Sequence, residues 1–292
     1  MNQIELKGHI GCINCLIQLS NGNLLTGGDD SSIRIWDINT YNNIMTFEEH
    51  FARVTCVIEL SNEKIASGSF DTSIRIWNLK EKNCILQLCE HDQWVLCLYI
   101  LKDKSLVSGG GDNNIIIWNV NKGMSKKILK GHNDLVICIS QLNYNDNLIS
   151  SSDDKTIRIW DIYNGNCLKI FNLSENINFF IFINDNLFIF GSENNLFLKK
   201  EFKLDEDENE FMNKAEIIQK DVNLSSNLLC VNNDILIYGN SDGKIFKRSI
   251  NENKIINEVD NVHEDNINCI ILLKDKRYCS CSNDSLIKIW DI

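Results

Sequence analysis

The chain has 292 residues, 43% hydrophobic and 24% charged, with a formal net charge of −11, and it reads as an ordinary soluble globular protein. That negative balance argues against generic nucleic-acid binding, which needs basic surface to displace counterions from phosphate, and against docking on anionic lipid. The longest apolar stretch, "FFIFI" at 179–183, is too short to span a bilayer, and no basic-then-apolar leader opens "MNQIELKGHIG", so twelve cysteines point to free thiols in a reducing, cytoplasmic or nuclear compartment.

Taken along the chain, a first strand is expected at 3–7, just before Gly8-His9. "INCLIQL" (13–19) follows, with Ile13, Cys15, Ile17 and Leu19 alternating at the period of a strand. The turn-formers "SNGN" and "TGGDDSS" bracket a second strand, and "IRIW" supplies a third with Ile33 and Ile35 on one parity. After "NTYNN" a fourth strand ends in "MTFEEH" at His50. The phrase "SSIRIW" (31–36) then returns as "TSIRIW" (72–77), "NNIIIW" (113–118), "KTIRIW" (155–160) and "SLIKIW" (285–290).

The spacing gives the number of units. His9, His50, His91 and His132 are 41 residues apart, while His263 and Trp290 lie 131 and 130 residues beyond His132 and Trp160. Three units of about 43 residues fit that gap, the last of them marked. Seven units result, two of them degenerate within about 171–250. Strands apolar on both faces need cover on both faces, which sheets of four strands stacked side by side around an axis provide. The chain stops at "WDI", the third strand of unit seven, and residues 3–7 match the fourth strand of other units. The N-terminal strand is therefore expected to complete the last sheet and close the ring.

A GH…WD unit of this length resembles the WD-repeat β-propeller family, with "GH" at Gly8-His9 and Gly131-His132 and "WD" at Trp36-Asp37, Trp160-Asp161 and Trp290-Asp291. The resemblance covers residues 1–292 as one all-β domain, a seven-bladed propeller of four-stranded antiparallel blades. It implies a hydrogen-bonded tetrad in each well-marked blade: His9, Thr26, Asp30, Trp36; His50, Ser67, Asp71, Trp77; His91, Ser108, Asp112, Trp118; His132, Ser150, Asp154, Trp160; and His263, Ser280, Asp284, Trp290. Buried indole, imidazole and carboxylate groups need partners, and a closed network supplies them. All five histidines are then structural, so no catalytic residue, metal site or cofactor is expected. In blade five Glu193 and Lys199 stand for the turn Asp and the Trp, with Ile189 in the Ser/Thr slot; in blade six Asp242 remains, with Arg248 and Tyr238 in the other slots. Those two blades are expected to hold by apolar packing, through residues such as Phe179, Ile181, Leu228 and Leu229; relaxed there, they could also let a partner dock edge-on.

Other motifs have plain readings beside the tempting ones. Cys12-x-x-Cys15 and Cys279-x-Cys281 suggest zinc, but Cys15, Cys56, Cys97, Cys138 and Cys269 share one slot six residues after each His, as repeated core residues do. "DEDENE" (205–210) reads as a solvated loop or as a docking patch for a basic partner. "SGGGD" (108–112) lacks the Lys-Ser/Thr of a phosphate loop.

Five of six tryptophans fill tetrad slots; Trp94 does not. By resemblance its slot, the one two residues on, and the residue before the turn Asp line the upper face around the central channel. Those positions are Cys12, Asn14, Asp29; Arg53, Thr55, Phe70; Trp94, Leu96, Gly111; Leu135, Ile137, Asp153; Asn266, Asn268, Asn283; and, in blade five, Asn176 and Asn178. Trp, Arg and aromatic residues dominate interface energies. Trp94, Arg53 and Phe70, with Asp29, Asp153, Leu135 and Asn14, are therefore the candidate partner-binding residues, for a protein segment with an apolar or basic anchor. The expected function is a non-catalytic scaffold, a monomer that joins a larger complex. The alternative is a ubiquitin-pathway component, as reader or ligase substrate receptor. Against the receptor form, no F-box-like helical segment is visible, and Asn39, Lys80, Asn121 and Tyr163 stand where cullin adaptors prefer Arg two residues after "WD".

Overall fold

The computed structural model describes residues 3–142, 146–184, 187–192, 195–200, 215–220, 224–230 and 234–291. Glu193 and the acidic run 205–210 lie outside these residues, and so do the side chains of Ile181, Lys199, Leu228 and Leu229. Every regular element among the described residues is a strand, and the strands form seven four-stranded antiparallel sheets. Ile4–Lys7 pairs with Leu286–Trp290 as the fourth strand of the last blade, Ile4 opposite Ile289. The fold class is the one expected.

The chain divides into two compact units, Met1–Cys89 with Ser225–Ile292, and Glu90–Leu224. The first holds blades one, two and seven and most of blade six; the second holds blades three, four and five. Within each unit the apolar core lies between consecutive sheets. In the first, Ile33, Val54, Ile65 and Trp77 fill the space between blades one and two, and Leu6, Ile13, Leu24, Trp36 and Ile287 that between seven and one. In the second, Ile115, Val136, Leu148 and Trp160 join blades three and four, and Ile157, Phe171, Phe180 and Phe190 join four and five. β-Branched and aromatic side chains suit these half-shared pleated faces.

The repeated phrase is the third strand, as Ile33–Trp36, Ile74–Asn78, Ile115–Asn119, Thr156–Trp160 and Leu286–Trp290. The residue after each of the first four tryptophans turns the chain into the fourth strand. Asp37 Oδ1 accepts from the amides of Asn39 (2.7 Å) and Thr40 (2.9 Å), and Asn78 Oδ1 does the same for Lys80 and Glu81. A side-chain acceptor at this point stands in for a backbone turn, which accounts for the Asp of the WD pair and for Asn replacing it.

The expected alternation in 13–19 fails at Cys15. The ladder slips between Ile13 and Cys15, so Ile13, Leu16 and Leu19 are buried while Cys15 and Ile17 are half-buried. The same bulge recurs between Val54 and Cys56, Val95 and Cys97, Val136 and Cys138, and Ile267 and Cys269. A bulge re-aims the extra residue, and here those residues are Asn14, Thr55, Leu96, Ile137 and Asn268, each a slot assigned to the upper face.

Candidate functional site: tetrads and the residues they leave over

All five tetrads are present. In blade four, Trp160 Nε1 donates to Ser150 Oγ at 2.8 Å, Ser150 Oγ lies 2.7 Å from His132 Nε2, and His132 Nδ1 lies 2.9 Å from Asp154 Oδ2. Blade one has the same order, with Trp36 to Thr26 at 2.9 Å, Thr26 to His9 at 2.8 Å and His9 to Asp30 at 3.0 Å. Blades two, three and seven repeat it through Ser67, Ser108 and Ser280. Each turn Asp also accepts the backbone amide just after its His, as Ile10 N donates to Asp30 Oδ2 at 3.0 Å. The network pins the start of the first strand to the turn between the second and third.

Electrostatics follow from that wiring. Burial alone would raise the Asp154 carboxyl, but hydrogen bonds from Thr156, the Asn133 amide and His132 hold it down to about 2. Asp30 and Asp71 are held further below the usual carboxylate range against the same cost of burial. Burial pushes His132 below its ordinary value, partly offset by Asp154. The imidazole is favoured as neutral, with Nδ1–H directed at Asp154 and Nε2 accepting from Ser150.

The two degenerate blades are not held by apolar packing alone. In blade five the register sets Lys200, one residue beyond the expected Lys199, opposite Leu187, where the marked blades carry Trp, and Gly191 faces Leu196. Glu175, on the loop before the first strand, accepts from Ser192 Oγ and from Asn195 Nδ2 at 2.7 Å. In blade six Arg248 occupies the Trp slot opposite Leu236 and donates to the Asn253 carbonyl at 3.0 Å, while Tyr238 fills the Ser/Thr slot and stacks on Phe246 at 5.1 Å. Asp234 accepts from Ser249 Oγ at 2.9 Å.

The face slots assigned by resemblance meet in pairs within each marked blade. The amides of Asp29, Phe70, Gly111, Asp153 and Asn283 donate to the carbonyls of Cys12, Arg53, Trp94, Leu135 and Asn266 at 2.7–3.0 Å. In the first unit, four candidates form one cluster. The Arg53 guanidinium lies 4.8 Å from the Phe70 centroid, its Nε is 3.5 Å from Asp29 Oδ1, and Asn14 Nδ2 donates to Asp29 Oδ1 at 2.9 Å. Asn14 also donates to the Val54 carbonyl on the next blade at 2.9 Å, as Asn268 does to the Ile13 carbonyl. These residues satisfy one another.

In the second unit the candidates are arranged differently. Trp94 is 41% exposed. A Cβ at Gly111 would lie 3.3 Å from Leu135 Cδ2 and 3.5 Å from the Trp94 nitrogen, so the loops of blades three and four adjoin at this glycine. Asp153 accepts from Asn176 Nδ2 at 3.0 Å, but burial first, then the carboxylates of Asp134 and Asp154, raise its pKa. Asp29 has an arginine; among the described residues no ion pair reaches Asp153.

Two exposed apolar residues escaped the sequence reasoning. Ile10 (79% exposed) and Phe51 (86% exposed) each follow a tetrad histidine, and the Arg75 guanidinium lies 5.8 Å from the Phe51 ring. Their signal was in the sequence, since Asp92, Asn133 and Glu264 hold the same slot elsewhere.

The family model described as "WD domain, G-beta repeat" matches residues 2–37, 41–78, 82–119, 123–161 and 256–291, the five blades that carry complete tetrads. No curated protein matches the chain.

Proposed function

Because the chain belongs to the WD domain, G-beta repeat family, we propose that it is a non-catalytic protein-interaction scaffold that binds an extended segment with a basic or apolar anchor at Trp94, Leu135 and Asp153. The observation that carries this reading is Trp94, the one tryptophan outside the tetrads, which leaves 41% of its surface in solvent. An exposed indole offers an apolar body and an electron-rich face, which suits Lys or Arg as well as an aliphatic residue. Asp153, crowded by carboxylates, gains from a cation in a way that Asp29, already beside Arg53, does not. Arg53 and Phe70, already engaged with Asp29 and with each other, are left out of the proposed site.

Enzymatic rivals meet an obstacle in the tetrads. Each of the five histidines has both ring nitrogens engaged, so acid–base work would have to break a fold-supporting network. Cytoplasm or nucleus is the compartment that fits a cysteine-rich chain with this reading.

The test is affinity capture with mass spectrometry of the wild type and of Trp94→Ala, Asp153→Asn and Arg53→Ala, with a thermal melt of each. The expected result is loss of the same partners from Trp94→Ala and Asp153→Asn with unchanged melting, and retention by Arg53→Ala, whose melting falls slightly. Retention of every partner by Trp94→Ala would remove the site. A cullin adaptor among the partners would move the assignment to the ubiquitin pathway.

A further inference from the structure

The cysteine slot of the first strand holds Cys15, Cys56, Cys97, Cys138 and Cys269, and the residues facing it on the second strand are Gly27, Gly68, Gly109, Ser151 and Cys281. The fold wants a small residue there. A Cβ at Gly27 would fall 2.9 Å from Cys15 Sγ and 2.5 Å from Val54 Cγ1, and one at Gly109 would fall 2.8 Å from Cys97 Sγ. Among these five blades, the seventh alone answers the first thiol with a second. The register that leaves no room for a side chain in blades one and three sets Cys281 directly opposite Cys269.

Directly opposed residues of an antiparallel pair have Cα atoms about 4.5–5.5 Å apart, inside the range of about 4.4–6.8 Å that a disulfide spans. Each thiol also donates to the first strand of blade one, Cys269 Sγ to the Leu16 carbonyl and Cys281 Sγ to the Ile13 carbonyl, both at 3.4 Å.

We infer that Cys269 and Cys281 are a peroxide-responsive dithiol that closes reversibly to a cross-strand disulfide. Cys269 Sγ, as thiolate, attacks the peroxide O–O bond, becomes a sulfenic acid, and the other oxygen leaves as water after taking a proton. Cys281 Sγ then attacks the sulfenic sulfur; the S–S bond forms, the S–O bond breaks and a second water leaves. Two thiols lose two electrons, and one peroxide becomes two waters. The roles follow exposure: Cys269 keeps 8% of its surface in solvent and Cys281 none, and burial pushes the Cys281 thiol well up. Closure removes both S–H donors from the carbonyls of blade one. The Ile13 carbonyl keeps the Asn268 amide at 2.9 Å, so the sheets stay joined with fewer polar links.

The native protein is treated with hydrogen peroxide, its remaining thiols are alkylated in denaturant, and tryptic peptides are mapped. Lys274, Lys276 and Arg277 lie between the two cysteines, so a disulfide holds two separate peptides together. The expected result is that joined pair as the main cross-link, with matching loss of the alkylated Cys281 peptide and recovery of both after reduction. In Cys281→Ser, a dione probe should trap a sulfenic acid at Cys269. Full alkylation of Cys269 and Cys281 in wild type, at a peroxide dose that oxidises the exposed Cys89, overturns the inference. So does trapping at Cys281 in Cys269→Ser with none at Cys269 in Cys281→Ser. The wild-type measurement stands even where a variant fails to fold.

Discussion

Arg53 spans two blades of the first unit: its guanidinium covers the Phe70 ring at 4.8 Å on its own blade, while its Nε reaches Asp29 of the preceding blade at 3.5 Å. A cation over an exposed ring contributes about 0.5–1 kcal/mol. A double-mutant cycle of Arg53→Ala and Phe70→Ala in urea unfolding should return a coupling of about that size. The corresponding cycle with Asp29→Asn should shrink as salt is added, because this ion pair is partly solvated.

Ser150 and Ser151 are adjacent, equally buried, and opposite in role. Ser150 Oγ accepts from Trp160 and meets His132, whereas Ser151 Oγ has no hydrogen-bond partner. Ser150→Ala should cost about 2 kcal/mol by leaving two buried polar atoms unpaired, and Ser151→Ala should stay within about 0.5 kcal/mol of wild type or exceed it. Urea midpoints of the two variants distinguish these outcomes.

Acid should weaken the fold in two steps. Unfolded His132 takes up a proton near its ordinary 6.5 and the folded ring resists it, so its contribution is complete above that pH and declines below it. Asp154 stays ionised in the fold down to about 2 but only to 3.8 when unfolded. Its contribution is present above 3.8 and is lost as pH falls toward 2. Melting temperature against pH should bend at both places, and Asp154→Asn should flatten the lower bend.

Among the described residues of blade five, Glu175 ties its loop to the turn through Ser192 and Asn195. Glu175→Ala takes the partner of Asn195 Nδ2 and one of the partners of Ser192 Oγ, which keeps the Asn195 amide, and should cost about 1–3 kcal/mol. Hydrogen exchange should rise first at 187–192 and 195–196, leaving the tetrad blades protected.

Why some of this could be read from sequence and some could not is a matter of how many positions a signal occupies. The third strands, the tetrads and the fourth strand at Ile4–Lys7 repeat in several copies, so spacing alone located them. Cys15 was put on the wrong parity because a bulge costs one residue, and hydrophobic alternation cannot show where that residue goes. Glu175 was missed because its hydrogen bonds reach across to another loop, a contact in space that spacing along the chain cannot show. The Arg53–Phe70 contact and the crowded carboxylate at Asp153 depend on side-chain direction across neighbouring loops. Phe51 and Ile10 were readable as apolar residues in an otherwise polar slot, but they lie outside the slots the family resemblance marks.

The pairing of Ile4 with Ile289 and of Lys7 with Leu286 places both strand ends nearest the chain termini at the same end of one sheet. Tension applied through residues 4 and 289 therefore loads one residue pair at a time and peels the strand away, like a zipper. Handles at residues 7 and 289 would load the whole ladder in shear and hold to a higher force. The strength of this strand pair depends on the direction of pull.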